Sequence, residues 1–358
     1  DRFYTGGTTG RSKGVMLSHR NLVVNSYNTI SVLHYENDAR YLHAPPMFHI
    51  ADCVAVFGQT QIGNSHYFIP AFTPDGTLDA IQRWQITDTL LVPTMVNMTV
   101  NHPSVADYDL SSLRHLAYGA SPMPEAVIMR AMQVMPDVQF YHAYGQTECA
   151  PLTSVNGPES HVFDGPMANM YRSCGRSAPG VMVEIRDEND QEVPRGEVGE
   201  ICVRGANVMQ GYWKLPELTA ETLRGGWLHS GDGGYMDENG YIYVVDRVKD
   251  MIISGGENIY SAEVESAVQM FPAVAECAVI GIPDEKWGEA VHAIVRLKEG
   301  ESATEEAIIT HCREQIAGFK CPRSVAFVTE ALPLSGAGKI LKTELRKPYW
   351  EDKGKAVN

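Results

Sequence analysis

The chain has 358 residues, 44% of them hydrophobic and 20% charged, which supports buried cores in two or three domains and argues against wholesale disorder. With 44 acidic against 29 basic side chains the net charge is −15, which disfavours a non-specific nucleic-acid binder and a protein held on anionic lipid by charge alone. Any anionic ligand then has to be met by a local site.

The chain opens on Asp1-Arg2-Phe3-Tyr4-Thr5-Gly6-Gly7, a strand end running straight into glycines, so the natural protein is expected to continue upstream. From residue 2 to about 144, strands are predicted at 41–44, 66–69, 89–92, 113–118 and 138–141. Between them, Ser18 is expected to cap a helix running to about Leu33, Thr77 a helix reaching Trp84, and Pro124 to start one reaching Val134. This alternation predicts a mostly parallel α/β sheet. From 165 to 247 short strands (181–186, 199–203, 241–245) and the hairpin signal Asn239-Gly240 predict an antiparallel sheet or small distorted β-barrel. Beyond 250, a helix at 261–270, strands at 275–280 and 291–297, a helix at 304–316 and a strand at 325–328 predict a small α+β domain. The expected division is therefore 1–247, a joint at 248–249, and 250–358.

The seven cysteines are scattered and nowhere spaced C-x-x-C, so a zinc ribbon, a thioredoxin-type site and a disulfide framework are poorly supported. With no signal peptide, and no apolar run approaching ~18 residues, the chain is expected to be cytoplasmic and without a transmembrane segment.

The first chemical signal is Tyr4-Thr5-Gly6-Gly7-Thr8-Thr9-Gly10-Arg11-Ser12-Lys13-Gly14. Glycines let backbone N–H groups approach phosphate oxygens, hydroxyls add donors and Lys13 adds charge. Taken alone, a flexible surface turn accounts for the segment as well. It is not a Walker A loop, because Arg11 and Ser12 follow Gly10.

The loop resembles the phosphate loop of the adenylate-forming (AMP-binding) enzymes, which include acyl-CoA synthetases, luciferase-like enzymes and peptide-synthetase adenylation domains. The resemblance recurs in order. It continues through Gly119-Ala120-Ser121, Tyr144-Gly145-Gln146-Thr147-Glu148, the segment 196–211 ending in Tyr212-Trp213, and His229-Ser230-Gly231-Asp232. It then runs through Asp246-Arg247-Val248-Lys249-Asp250 to Gly255-Gly256-Glu257-Asn258, and through Pro333-Leu334-Ser335-Gly336-Ala337-Gly338-Lys339-Ile340. The departures are Thr5-Gly6-Gly7 and Arg11-Ser12 within the loop, and the absence of the N-terminal region that family members carry before it.

The resemblance implies an AMP-forming acid:CoA ligase of the fatty-acid–CoA ligase branch, with ATP, Mg²⁺ and CoA. Thr5, Gly6, Gly7, Thr8, Thr9, Gly10 and Lys13 would hold phosphates. Gly119, Ala120, Ser121, Tyr144 and Gly145 would line adenine, and Asp232 and Arg247 would bind ribose; a surface salt bridge is the plainer account of that pair. Thr147 would bond the α-phosphate and Glu148 would hold Mg²⁺. Lys339 would bridge the substrate carboxylate and α-phosphate, with its ammonium neutralising two anions as they join. Acetylation would remove that charge. His49 resembles the gate residue beside the acid, although a histidine capping a helix fits the segment too. Lys249 would be the hinge of a mobile C-terminal lid, whose second face brings Gly255 and Gly256 to the pantetheine arm of CoA. Cys149 reads as packing, since CoA supplies the thiol.

Acid specificity is expected around Val92, Pro93, Gly119, Ala143, Pro151 and Leu152. That wall is apolar and has no second-carboxylate partner, so it favours a hydrophobic fatty or aromatic monoacid. A carrier-protein-loading adenylation domain, a luciferase-like oxygenase and an inactive nucleotide-binding module remain as rivals; a P-loop kinase is disfavoured. Nucleic acid is not expected as a partner, and a homodimer is left open.

Overall fold

The computed structural model describes residues 1–5, 12–121, 123–248, 250–334 and 340–350. The chain divides into two compact units, Asp1–Ser230 with Gly234–Val244, and Gly231–Gly233 with Val245–Asn358.

Among the described residues, the first unit is built on a seven-stranded sheet. Ser65–Phe68, Arg40–His43, Asp88–Leu91, His115–Gly119 and Gln139–Gly145 run parallel in that spatial order. Leu152–Asn156 and Arg176–Ser177 extend the sheet antiparallel. The predicted parallel strands are all present, with ends shifted by one or two residues, except that the strand predicted at 138–141 runs on to Gly145. Helices Pro74–Trp84, Pro93–Val100 and Glu125–Val134 supply residues such as Ile81, Val96 and Ile128 to one core with Leu42, Leu91 and Leu116 of the sheet.

Helix His19–Val32 starts at Ser18 as expected, with a full capping box between Ser18 and Asn21. The Pro74–Trp84 helix corrects a prediction. Its N-cap is Thr73, which accepts from the Gly76 amide, while Thr77 is fully buried inside the helix. Thr73-Pro74-Asp75 carries the stronger start signal: a hydroxyl cap, Pro at the first helical position and an acid in the first turn. The helices Ile50–Gln61 and Pro93–Val100 were not anticipated. In neither are the apolar residues confined to the single helical stripe that sequence reading relies on: the first carries the run 53–57, and the second is only eight residues long.

Two further sheets are antiparallel. Arg2–Thr5, Lys13–Met16 and Gly211–Tyr212 form one, with Thr5 opposite Lys13 and Tyr212 opposite Val15. The other is a four-stranded path in the order Val181–Arg186, Gly199–Gly205, Leu228–Met236, Ile242–Arg247.

The second unit contains the sheet Glu257–Ile259, Ile252–Ser254, Gly288–Leu297, Val274–Asp284, with Ser324–Val328 parallel to Gly288–Leu297. Helices Ser261–Gln269 and Glu305–Gln315 cover it through Val264, Val268 and Ile308. Helix Lys342–Trp350 packs Leu345 and Tyr349 on a second cluster with Ile280 and Ile294. Among the described residues, no helix is long and apolar enough to cross a membrane.

Candidate active site

The carboxyl ends of the parallel strands gather most of the predicted nucleotide residues of the first unit that the structure describes. Ligands of open α/β sheets bind at this edge, because the strands end there and the loops diverge. Gly119 closes its strand opposite Ala143. A Cβ on Gly119 would lie 2.0 Å from the Ala143 carbonyl oxygen, so glycine is required for the two strands to approach. Ala120 follows at φ +68°, a left-handed conformation that turns the chain sharply before Ser121. One strand further along, Tyr144 and Gly145 run into the short helical turn Thr147–Cys149. Here too the backbone is crowded: a Cβ on Gly145 would sit 1.9 Å from the Pro151 oxygen. Gly119, Ala120, Ser121, Tyr144, Gly145, Thr147 and Glu148 thus occupy neighbouring strand ends. Val92 and Pro93, at the end of Asp88–Leu91, flank them.

Glu148 is buried, and its Oε1 accepts the Tyr212 hydroxyl at 2.7 Å. Burial first, and the Glu148 carboxylate second, push the Tyr212 phenol well up, so it stays a donor. The face of the same ring carries the Lys13 ammonium, 4.8 Å from its centroid. Lys13 stands opposite Thr5 in the antiparallel pairing of Arg2–Thr5 with Lys13–Met16. The strands on either side of the glycine segment in sequence are therefore antiparallel partners. Thr5 Oγ1 is buried without a hydrogen-bond partner among the described residues. Gly6, Gly7, Thr8, Thr9 and Gly10 lie outside the described residues.

Two asparagines that sequence reading missed hold the Glu148 turn. Asn207, fully buried, donates from Nδ2 to the carbonyls of Cys149 and Leu152 at 2.8 Å each. Asn25 Oδ1 accepts the Leu152 amide at 2.9 Å. Their place within the 196–211 segment and the Ser18-capped helix was visible, but contacts 58 and 127 residues apart in sequence were not. Cys149 is fully buried, in keeping with packing.

His49 caps helix Ile50–Gln61, with its Nδ1 accepting the Ala51 amide at 3.3 Å. The structural role weighed for it is therefore present; a capping histidine can still present its ring at the strand edge.

In the second unit, Asp232 is buried and pairs with Arg247, Nε to Oδ1 2.7 Å. Gly255 and Gly256, at φ +65° and +86°, form the turn between Ile252–Ser254 and Glu257–Ile259. Two successive left-handed residues are the signature of a two-residue hairpin turn, so both glycines have a backbone reason to be there. A Cβ on Gly255 would also meet the Trp287 ring at 2.6 Å. Lys249 and Lys339 lie outside the described residues.

The donor set around Glu148 suits Mg²⁺, a hard cation that takes carboxylate oxygen and keeps waters. A second group, Glu200, Cys202 and His229, has ligand atoms within 4.8 Å of one another. There Arg224 reaches Glu200 at 3.5 Å and Asp190 at 3.0 Å, and burial pushes the Cys202 thiol up to about 12. His229 Nδ1 bonds Glu200 at 2.8 Å. A neutral thiol beside an already compensated carboxylate makes this a structural network.

Comparison with known proteins bears on the same segments. The family description "AMP-binding enzyme" matches residues 3–213, and "AMP-binding enzyme C-terminal domain" matches 263–339. Feruloyl-CoA synthase of an Amycolatopsis species is 43% identical over 347 residues, covering 97% of this chain and 69% of that protein. ATP-bound MatB of Rhodopseudomonas palustris superposes with a TM-score of 0.88 at 34% identity, covering 99% of this chain and 68% of that one. The o-succinylbenzoate coenzyme A synthetase MenE of Bacillus subtilis, in complex with ATP and magnesium ion, gives 0.85 at 31% identity, covering 96% and 69%.

Proposed function

Because the chain belongs to the AMP-binding enzyme family, we propose that its acid–CoA ligase activity is directed at a hydrophobic monocarboxylic acid, fatty or aromatic. The reaction has two steps. The acid's carboxylate oxygen attacks the α-phosphorus of ATP, pyrophosphate leaves, and a mixed anhydride with AMP forms. The CoA thiol then adds to the acyl carbonyl, its proton passes to solvent, and AMP leaves with the electrons of the broken C–O bond.

The observation that carries this reading is the linkage of Lys13, Tyr212 and Glu148. One phenol carries the Lys13 ammonium over its ring and donates its hydroxyl to the Glu148 carboxylate, which supports a cation and an oriented acid acting on one phosphate group. Lys13 with the loop 5–10 would take up phosphate charge, and Thr147 would donate to the α-phosphate. Glu148 would hold Mg²⁺, which when bound neutralises charge on the phosphates. Tyr144 and Ala120 would enclose adenine, with Gly119, Ser121 and Gly145 leaving room for it. Asp232 and Arg247 would read the ribose diol. Lys339 would sit between the two reacting anions in the first step and be withdrawn for the second. The small C-terminal domain would turn about Lys249 and bring the Gly255-Gly256 hairpin to CoA.

The apolar character of Val92, Pro93, Ala143 and Leu152 supports a hydrophobic acid, and the feruloyl-CoA synthase relative supports including aromatic propenoic acids. The test is pyrophosphate release across medium- and long-chain fatty acids, hydroxycinnamic acids and a dicarboxylic acid, with CoA thioester measured in parallel. Preference for the dicarboxylate would overturn the proposed acid class. Pyrophosphate release without thioester, restored by a carrier protein, would move the acceptor from CoA to that carrier.

A further inference from the structure

Beside the candidate site, the first unit buries an ionisable chain that the reaction as described does not use. Asp52 and His43 are both fully buried at their side chains, with Asp52 Oδ2 2.8 Å from His43 Nδ1. His43 Nε2 is 2.9 Å from His66 Nδ1, and His66 Nε2 is 3.1 Å from Thr60 Oγ1. An ionised carboxylate is acceptor-only, and this sets the direction of the chain. With Asp52 ionised and both imidazoles neutral, Thr60 donates to His66, His66 to His43, and His43 to Asp52. The rings are also stacked, His43 on Phe68 with centroids 4.7 Å apart and on His66 at 5.2 Å.

Burying such a group is costly: removing a carboxylate from water takes several kcal/mol, which packing by an apolar side chain would avoid. Part of that cost is offset by the first-turn position of Asp52 in helix Ile50–Gln61, where the helix dipole favours an anion. Asp52 Oδ1 nonetheless has no partner among the described residues. The placement accounts for the arrangement. His43 ends strand Arg40–His43, and Asp52 lies in the helix that His49 caps. Their bond therefore spans the connection 44–49 from one end to the other. His66, on the neighbouring parallel strand, holds the His43 ring from the far side.

We propose that His43 and Asp52 are positioning residues for His49, bracing the connection 44–49 so that the His49 ring stays at the strand edge beside the acid. This rests on the reading of His49 as the gate to the acid substrate. Fixing a short connection at both ends restricts the ring at its tip, and misplacement by about 1 Å can lower a rate by a hundredfold.

The test is a mutant cycle in the whole chain, reading KM for the acid, KM for ATP and kcat of pyrophosphate release. Asp52→Asn is expected to raise the KM for the acid three- to tenfold with the KM for ATP within twofold. In a His49→Ala background the same substitution is expected to change the acid KM by less than twofold. An equal effect in both backgrounds, or a parallel rise in the KM for ATP, overturns the proposal. His49→Ala without any effect on the acid KM would instead remove the gate reading, and the bracing role with it. If Asp52→Asn does not fold, His66→Asn, which loosens the half-buried end of the chain, is expected to give a smaller shift in the same direction and to lose it in the His49→Ala background. Additivity there is equally fatal.

Discussion

Arg247 Nε lies 2.7 Å from Asp232 Oδ1, so the two residues singled out for the ribose hold each other. The Asp232 side chain is 7% exposed and that of Arg247 45%, an arrangement in which the cation can shift while the acid stays fixed.

Asp232→Ala is expected to weaken ATP binding roughly ten- to a hundredfold, the scale of a lost hydrogen bond to a charged group, with acid affinity within twofold. Arg247→Ala should be milder on the nucleotide but destabilising, because it removes the cation that pairs with a buried carboxylate. Isothermal calorimetry with ATP checks both. Unaltered affinity in Asp232→Ala would remove the ribose role.

Lys339→Ala is expected to lower adenylate formation by about a hundredfold or more, as loss of one charge-stabilising group at a transition state does. Thioester formation from supplied acyl-AMP and CoA should be nearly unchanged. Equal loss in both half-reactions would show that the ammonium does not act where the anions join.

Lys249→Pro is expected to impair the CoA step more than the adenylation step, by fixing a backbone dihedral that the lid's rotation has to change. Single-turnover measurement of each half-reaction distinguishes them, and equal impairment counts against the hinge.

Gly145→Ala and Gly119→Ala are expected to destabilise the first unit by roughly 1–3 kcal/mol or more, since backbone carbonyls 1.9 and 2.0 Å from the new methyl cannot yield as a side chain would. Gly318→Ala, with no atom within 4 Å, is the control and should stay within about 0.5 kcal/mol. Thermal unfolding that fails to separate them would contradict the crowding.

His142 and His161 predict an acid-sensitive first unit. Burial holds both imidazoles down at about 4, against an ordinary 6.5, with His142 bonded to the Ser173 carbonyl and His161 to Tyr118. Between those values the unfolded chain binds more protons than the folded one, so stability rises with pH. The contribution is complete above about 6.5 and is lost as the pH falls towards about 4. Unfolding midpoints across pH 4–7 should decline accordingly. In His142→Gln the decline should be shallower.

Much of this protein is set by local pattern. Alternating apolar runs and caps specify the parallel strands and the helices starting at Ser18, Pro124 and Thr304, because strand burial and capping are short-range requirements. The order of the glycine, hydroxyl and acidic motifs likewise identifies the family, since the resemblance is carried by short contiguous segments. What the tertiary structure alone decides is which groups meet. Tyr212 reaches Glu148 across 64 residues, Asn207 holds the Cys149 turn, and His66 meets His43 from the neighbouring parallel strand. Those bonds depend on strand order and register, and the free energy of a contact between distant residues leaves no periodic trace in the sequence around either partner.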